Sequence, residues 1–146
     1  MQVQEIMAKR VISVKHDDTV RTAAQRMRDH EIGALPVLDA HDRLAGILTD
    51  RDIVRRVVAE GKPDTTAVKE VMTPNPVTVS PTDDVRFVAK QMSEKQIRRL
   101  PVVDGGRVVG MVAVKDLADH TETLKYTDTV IREVSEDYAE HRQEVH

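Results

Sequence analysis

Ile32-Gly33-Ala34-Leu35-Pro36-Val37-Leu38-Asp39 and, 65 residues later, Ile97-Arg98-Arg99-Leu100-Pro101-Val102-Val103-Asp104 are two versions of one phrase, a short apolar run that ends on an aspartate. Working outward from it, residues 3–39 lie over residues 68–104 without a gap, and fourteen of thirty-seven positions are identical, among them Val3/Val68, Glu5/Glu70, Met7/Met72, Met27/Met92 and Pro36/Pro101. After one single-residue deletion Gly46 falls on Gly110 and Asp52 on Asp116, so the duplication covers nearly everything before residue 121. Two copies at so long a period indicate paired domains rather than a solenoid.

Each copy reads as β-α-β-β-α, preceded by a short helical lead-in at residues 3–7 and 68–72. Val11-Ile12-Ser13-Val14 and Pro76-Val77-Thr78-Val79 are short β-branched runs expected as first strands. Asp17-Asp18 and Asp83-Asp84 stand where helix caps belong. The period then changes to 3.6, with Val20, Ala23, Ala24 and Met27 on one helix face and Val85, Val88, Ala89 and Met92 on its counterpart. Residues 34–38 and 100–103 are second strands. After the turns at Asp39-Ala40-His41-Asp42 and Asp104-Gly105-Gly106, residues 44–48 and 108–112 return as third strands. A closing helix from about Asp50 carries Ile53, Val54, Val57 and Val58 and stops at Gly61-Lys62-Pro63; its counterpart over residues 114–120 is shorter. The chain therefore divides into a first repeat at 3–61, a linker at 62–67, a second repeat at 68–120 and a polar tail at 121–146. In the tail Val130, Val134 and Tyr138 give a weakly amphipathic helix. The fold class is α/β (α+β). A three-stranded sheet with two helices buries little alone, so the two repeats are expected to pack together with pseudo-two-fold symmetry.

Composition removes several kinds of function. The 146 residues are 40% apolar and 32% charged, and no apolar run is long enough for a bilayer, so membrane insertion is not expected. Residues 1–10 have no signal-peptide pattern, which with the lack of cysteine leads to a cytoplasmic expectation. Lack of cysteine also removes thiol catalysis, thiolate metal sites and disulfide chemistry. A net charge of -3 with interspersed signs and three aromatics, Phe87, Tyr126 and Tyr138, gives neither a duplex footprint nor stacking platforms, so no nucleic-acid partner is expected. His16, His30, His41, His120, His141 and His146 show no metal-ligand spacing. No nucleophile has a base partner in sequence and no P-loop or dinucleotide fingerprint occurs, so an enzyme is not expected.

Ile32–Asp39 followed by Arg43-Leu44-Ala45-Gly46-Ile47-Leu48-Thr49-Asp50-Arg51-Asp52-Ile53 strongly resembles a cystathionine-β-synthase (CBS) repeat. So does Ile97–Asp104 followed by Val109-Gly110-Met111-Val112-Ala113-Val114-Lys115-Asp116-Leu117. The resemblance lies in a Pro-apolar-apolar-Asp strand end, a Gly-centred strand and a Thr-x-x-Asp helix start, and it covers residues 3 to about 120. It implies a stand-alone CBS pair, or Bateman module: a non-catalytic regulatory sensor whose inter-repeat cleft binds an adenosine-containing ligand such as AMP, ADP, ATP or S-adenosylmethionine. No cofactor is required; the adenine nucleotide is a regulatory ligand. A homodimer and a downstream protein partner of unknown identity are implied as well. The alternative is a structural dimerisation or adaptor protein with no bound ligand.

In this resemblance Asp52 accepts from the ribose hydroxyls, and Thr49 offers a hydroxyl beside helix N-terminal N–H groups that suit a phosphate. Lys9, Val11 and Ile12 with Ile32, Gly33, Ala34, Leu35 and Pro36 form the slot and edge for adenine. Asp50 beside Asp52, and Pro76 and Val77 at the start of the second copy's strand, complete the ligand set with Asp116. Arg51, Lys115, Arg98 and Arg99 either place cations along a phosphate chain or form a solvated charged edge. Thr49-x-x-Asp52 is equally a capping box. In the second copy Ala113 cannot cap, yet Asp116 is kept, which favours ligand contact; the missing hydroxyl makes the Asp52 site the better-equipped of the two.

Overall fold

The structure, a computed structural model, describes residues 1–120; the expected helix through Val130, Val134 and Tyr138 lies outside the described residues. The chain forms two compact units, each discontinuous in sequence. The Asp52 unit is Arg10–Val77 with Gly105–Val108, and the Asp116 unit is Met1–Lys9 with Thr78–Asp104 and the described residues from Val109 on. Sequence repeats and compact units therefore differ: each lead-in packs with the body of the other copy, and Gly105–Val108 of the second repeat fall in the Asp52 unit.

In the Asp52 unit, β1 (Val14–Lys15), β2 (Ala34–Leu38), β3 (Leu44–Thr49) and β4 (Thr73–Pro74) form one sheet in that order, β1 parallel to β2 and the other pairs antiparallel. Helix α1 (Val20–His30) covers it. Val14, Leu35, Val37 and Leu48 from the sheet meet Val20, Ala23 and Met27 from α1, and Val57, Val68 and Val71 close the core. The period-2 and period-3.6 patterns thus converge on one buried layer. Ala24 is exposed, so the α1 stripe is narrower than its apolar spacing implied. Helix α1 starts on Thr19, whose side chain accepts from the Thr22 N–H at 3.2 Å, and ends on Glu31 in the left-handed region (φ 53°). The cap is not the Asp17-Asp18 pair: Asp18 instead takes the Lys15 N–H at 2.9 Å and holds the turn. A four-residue helix α2 (Asp50–Ile53) runs into a π-helical turn (Val54–Val58), closed by the Ala59 N–H donating to the Val54 carbonyl at 2.9 Å. That wider turn buries Val57 but leaves Val54 and Val58 59% and 69% exposed, so the expected regular closing helix is not what forms.

The Asp116 unit repeats this plan with α3 (Val85–Lys95), β5 (Arg99–Asp104), β6 (Arg107–Ala113), which it holds from Val109, and α4 (Val114–Ala118). Asp84 caps α3 by accepting from Arg86, and Gln96 (φ 54°) ends it as Glu31 ends α1. Val3, Val79, Val85, Val88, Ala89, Met92, Leu100, Val102, Val112 and Leu117 make its core.

The expected first strands are shorter than drawn. Only Val14–Lys15 forms a ladder in one unit, and in the other Val79 makes a single parallel bridge to Val102. Pro74 and Pro76 carry no N–H and cannot extend pairing upstream of Val79. In place of a long first strand, each sheet gains an edge from a lead-in. In the Asp52 unit Thr73–Pro74 pairs with Gly46–Ile47, while the Val68 and Lys69 N–H groups donate to the Asp18 and His16 carbonyls. In the Asp116 unit Ala8 exchanges both backbone hydrogen bonds with Met111, and the Val3 N–H donates to the Asp83 carbonyl at 2.8 Å. The mid-strand glycines make the crossing possible. A Cβ on Gly46 would stand 2.7 Å from Met72 Sδ and 2.7 Å from the Thr73 carbonyl oxygen; one on Gly110 would collide with Met7 Sδ and stand 3.0 Å from the Ala8 carbonyl oxygen.

The segment expected as a linker is docked as well. The Thr66 side chain is buried and donates to the Pro63 carbonyl at 2.6 Å, and the Thr66 and Asp64 carbonyls accept from the Val20 and Arg21 N–H groups at the start of α1. These bonds satisfy donors that the first helical turn leaves unpaired. The lead-in contact also has an electrostatic part. Lys69 Nζ lies 3.0 Å from Asp17, and this hydrogen bond, with the His16 and Lys69 charges, holds the Asp17 carboxyl below its ordinary range.

Candidate functional site

The strand pairing of Ala34 with Thr49 and the bond from the Asp50 N–H to the Gly33 carbonyl at 2.9 Å bring Gly33 and Ala34 beside the Thr49–Asp52 turn. Thr49 Oγ1 accepts from the Asp52 N–H at 3.1 Å, and Asp52 Oδ2 accepts from the Thr49 N–H at 3.0 Å, so the capping box is complete. The box uses one carboxylate oxygen. Among the described residues Asp52 Oδ1 accepts no hydrogen bond and its one ion-pair neighbour is Arg56 Nε at 3.9 Å; the Asp52 side chain is 15% exposed. Arg56 was not singled out in the sequence. Its guanidinium also donates to the Val71 carbonyl at 3.1 Å and to the Met72 carbonyl at 3.3 Å, which ties Asp52 to the lead-in that crosses Gly46. The available signal was its i,i+4 spacing from Asp52.

The helix N-terminus is not the open donor cluster that a phosphate needs. The Asp50 N–H is held by Gly33, the Arg51 N–H by Asp50 Oδ1 at 2.8 Å, and the Asp52 N–H by Thr49. With the Thr49 N–H also taken, the phosphate role expected for Thr49 and its neighbouring amides has no free donor left in the backbone. Among the other residues expected here, Ile12 and Ile32 pack partly buried on the core, and Leu35 and Pro36 are buried outright. Leu35 has no exposed surface, so the structure does not place this expected contact where a ligand reaches it. Val11, Pro76 and Val77 are half-buried and Arg51 is exposed.

The Asp116 unit holds the corresponding arrangement. The Val114 N–H donates to the Arg98 carbonyl at 3.0 Å, as Asp50 does to Gly33, and Asp116 Oδ2 accepts from the Ala113 N–H at 2.7 Å. Ala113 has no oxygen, so only the carboxylate half of the box exists, and that half works without the other. Retention of Asp116 beside Ala113 therefore has a structural cause and does not by itself argue for ligand contact. Ala113→Thr restores the missing acceptor for the Asp116 N–H and is expected to stabilise the protein by about 0.5–1 kcal/mol, read from the urea midpoint at unchanged slope. Arg98, Arg99, Lys115 and Lys9 are exposed, and among the described residues none of them has an ion-pair partner.

A separate open groove of about 240 Å³ in the Asp52 unit is lined by Val11, Ser13, Leu38, Asp42, Arg107 and Val108. It sits at the Leu38 end of β2, whereas Thr49–Asp52 adjoin the Ala34 end. Among the described residues no group of histidine, aspartate and glutamate side chains could hold a metal ion, and no helix is long and apolar enough to cross a membrane.

The CBS domain family model matches residues 3–59 and 68–122, which takes in both strand-turn-helix sites. The chain belongs to the CBS domain family. The CBS domain-containing protein YhcV of Bacillus subtilis is 40% identical over 116 residues, covering 80% of this chain and 82% of the relative. Among solved structures, Hypoxic Response Protein I with two coordinated zinc ions matches at TM-score 0.76 and 38% identity over 82% of this chain and 98% of that one. The CBS pair of protein MJ0100 in complex with 5′-methylthioadenosine and S-adenosyl-L-methionine matches at TM-score 0.73 and 33% identity over 82% of this chain and 94% of that one. The protein PAE2072 of Pyrobaculum aerophilum, complexed with AMP, shares the CBS-pair fold at TM-score 0.78 and 24% identity, covering 88% and 99%. The fold expected from the duplication and the resemblance together, a mixed α/β CBS pair, is the one these comparisons show.

Proposed function

We propose that this CBS pair is a non-catalytic regulatory module that binds an adenosine-containing ligand at Asp52. The observation that carries the reading is the division of labour within one carboxylate: Oδ2 holds the Thr49 N–H, while Oδ1 accepts no hydrogen bond among the described residues, in a turn whose Thr49 pairs with Ala34 and whose Asp50 N–H bonds the Gly33 carbonyl. A vicinal diol needs two acceptor lone pairs, and a capped carboxylate still has them. The adenosine derivatives in the MJ0100 complex support the ligand class. Regulation then follows from differential affinity, since a ligand that favours one state of the protein shifts it toward that state for a downstream protein to detect. The reading includes a cytoplasmic location and a homodimer. Self-association is supported by Val54 and Val58, two valines four residues apart that stay exposed on the π-helical turn.

Asp52→Asn separates ligand contact from capping. The amide keeps a carbonyl oxygen for the Thr49 N–H and puts an NH₂ donor where the free carboxylate oxygen stood. In a thermal-shift series with adenosine, methylthioadenosine, S-adenosylmethionine, AMP, ADP and ATP, the native protein is expected to gain stability from at least one compound, increasingly with concentration. The variant is expected to melt within about 2 °C of the native protein and to lose at least roughly tenfold in affinity. Unchanged affinity in Asp52→Asn reduces the carboxylate to a cap.

A further inference from the structure

We infer that the Asp52 site takes adenosine derivatives that carry no phosphate, and that Asp50 sets this choice; the inference rests on Asp52 being the ligand contact. Three features of the Asp52 unit lead to it. First, the backbone donors of the strand-to-helix turn are all engaged: Thr49 N–H by Asp52, Asp50 N–H by Gly33, Arg51 N–H by Asp50 and Asp52 N–H by Thr49. A phosphate arriving there would have to break one of these bonds to obtain a backbone donor. Second, the exposed Asp50 carboxylate is held beside Gly33, two residues from Asp52. Its Oδ1 is fixed by the Arg51 N–H at 2.8 Å, and its Oδ2 lies 3.0 Å from the position a Cβ on Gly33 would occupy. Gly33 and Asp50 thus depend on each other, because a side chain at 33 would press on the carboxylate. Third, among the described residues no cation pairs with the Asp50 carboxylate: Arg51 is an exposed side chain, and Arg56 is taken up by Asp52 and by the Val71 and Met72 carbonyls, so the Asp50 charge stands without a partner. A phosphate dianion would meet like charge within a few Å, whereas a neutral thioether or a sulfonium group would not.

The Asp116 unit shows that this charge belongs to one site and not to the fold. Val114 stands at the position of Asp50 and makes the same backbone bond, to Arg98 instead of Gly33. The place of Gly33-Ala34 is taken by Arg98-Arg99, both exposed, with exposed Lys115 in the turn. Without a carboxylate at position 114 a side chain at 98 is accommodated, and three cationic residues stand where the Asp52 unit has Gly33, Ala34 and Arg51. Asp50 with Gly33, against Val114 with Arg98, is a paired substitution that converts the electrostatics of one backbone frame.

The test follows the Gly33 and Ala34 amide resonances of the full chain, ¹⁵N-labelled, through titrations with 5′-methylthioadenosine and with AMP, in native protein and in Asp50→Asn. Asparagine keeps an oxygen for the Arg51 N–H and removes the charge. In native protein the Gly33 resonance is expected to saturate at roughly tenfold lower methylthioadenosine than AMP, the scale of repulsion between like charges a few Å apart in a partly exposed site, and Asp50→Asn is expected to bring the two concentrations together. AMP saturating Gly33 at equal or lower concentration than methylthioadenosine overturns the inference, as does an unchanged ratio in Asp50→Asn. If neither compound moves Gly33 at millimolar concentration, the assignment of the ligand to Asp52 fails, and this inference with it.

Discussion

Deletion of residues 1–8 is expected to unfold the Asp116 unit, although all eight residues precede the first repeat's sheet and helices in sequence. The deletion removes fully buried Val3 and nearly buried Ile6. It also removes the bonds from the Val3 and Gln4 N–H groups to the Asp83 and Pro81 carbonyls, from the Val85 N–H to the Met1 carbonyl, and both bonds between Ala8 and Met111. Two aliphatic side chains at about 1.5–3 kcal/mol each and several backbone bonds at about 1 kcal/mol each amount to a large share of the roughly 5–15 kcal/mol that holds a domain folded. Amide hydrogen exchange is the measurement. Protection at Leu100 and Val102 is expected to collapse in the truncated chain; full protection there would show that the lead-in is dispensable.

The second large effect is expected at Gly46. In Gly46→Val the Cβ alone stands 2.7 Å from both Met72 Sδ and the Thr73 carbonyl oxygen. The methionine can swing aside, but the carbonyl belongs to β4 and cannot retreat without breaking the pairing of Gly46–Ile47 with Thr73–Pro74. A loss of about 3 kcal/mol is expected, at the upper end of overpacking penalties, because backbone and not a side-chain tip is in the way. Equilibrium urea unfolding measures it. A loss under about 0.5 kcal/mol would mean that the lead-in does not cross the strand at this point.

Much of the fold is visible in the sequence because its signals are local. Val20, Ala23 and Met27 with Leu35, Val37 and Leu48 follow two periods that each point to one face, and duplication lets each copy check the other. Which body a lead-in packs against is not local. Val3–Met7 and Val68–Met72 align as equivalent segments wherever they dock, so similarity alone could not reveal the exchange. Its trace was there in Gly46 and Gly110, glycines in mid-strand that mark a close backbone approach. The cap of α1 was misplaced onto Asp17-Asp18 because several capping residues stand in a row, and only geometry assigns Thr19 to the helix and Asp18 to the turn.

The site was legible as a set of residues and less so as chemistry. Gly33, Ala34 and Thr49–Asp52 are adjacent, as the resemblance implied. Sequence could not show that every amide in that turn is engaged, nor that Asp116 holds the Ala113 N–H without help from a hydroxyl. Asp50 looked like a neighbour of Asp52. In the structure it is a carboxylate fixed beside Gly33, where the second copy has Val114 and Arg98 at the matching positions.

The central claim is that the free oxygen of Asp52 exists to hold a ligand. Calorimetric titration of the ligand-stripped full chain with 5′-methylthioadenosine, beside Asp52→Asn at matched concentration, tests it most directly. Saturable heat is expected in the native protein and at least roughly tenfold weaker binding in the variant. Binding of equal strength in both proteins, or no binding of any adenosine derivative to the native chain, would contradict it.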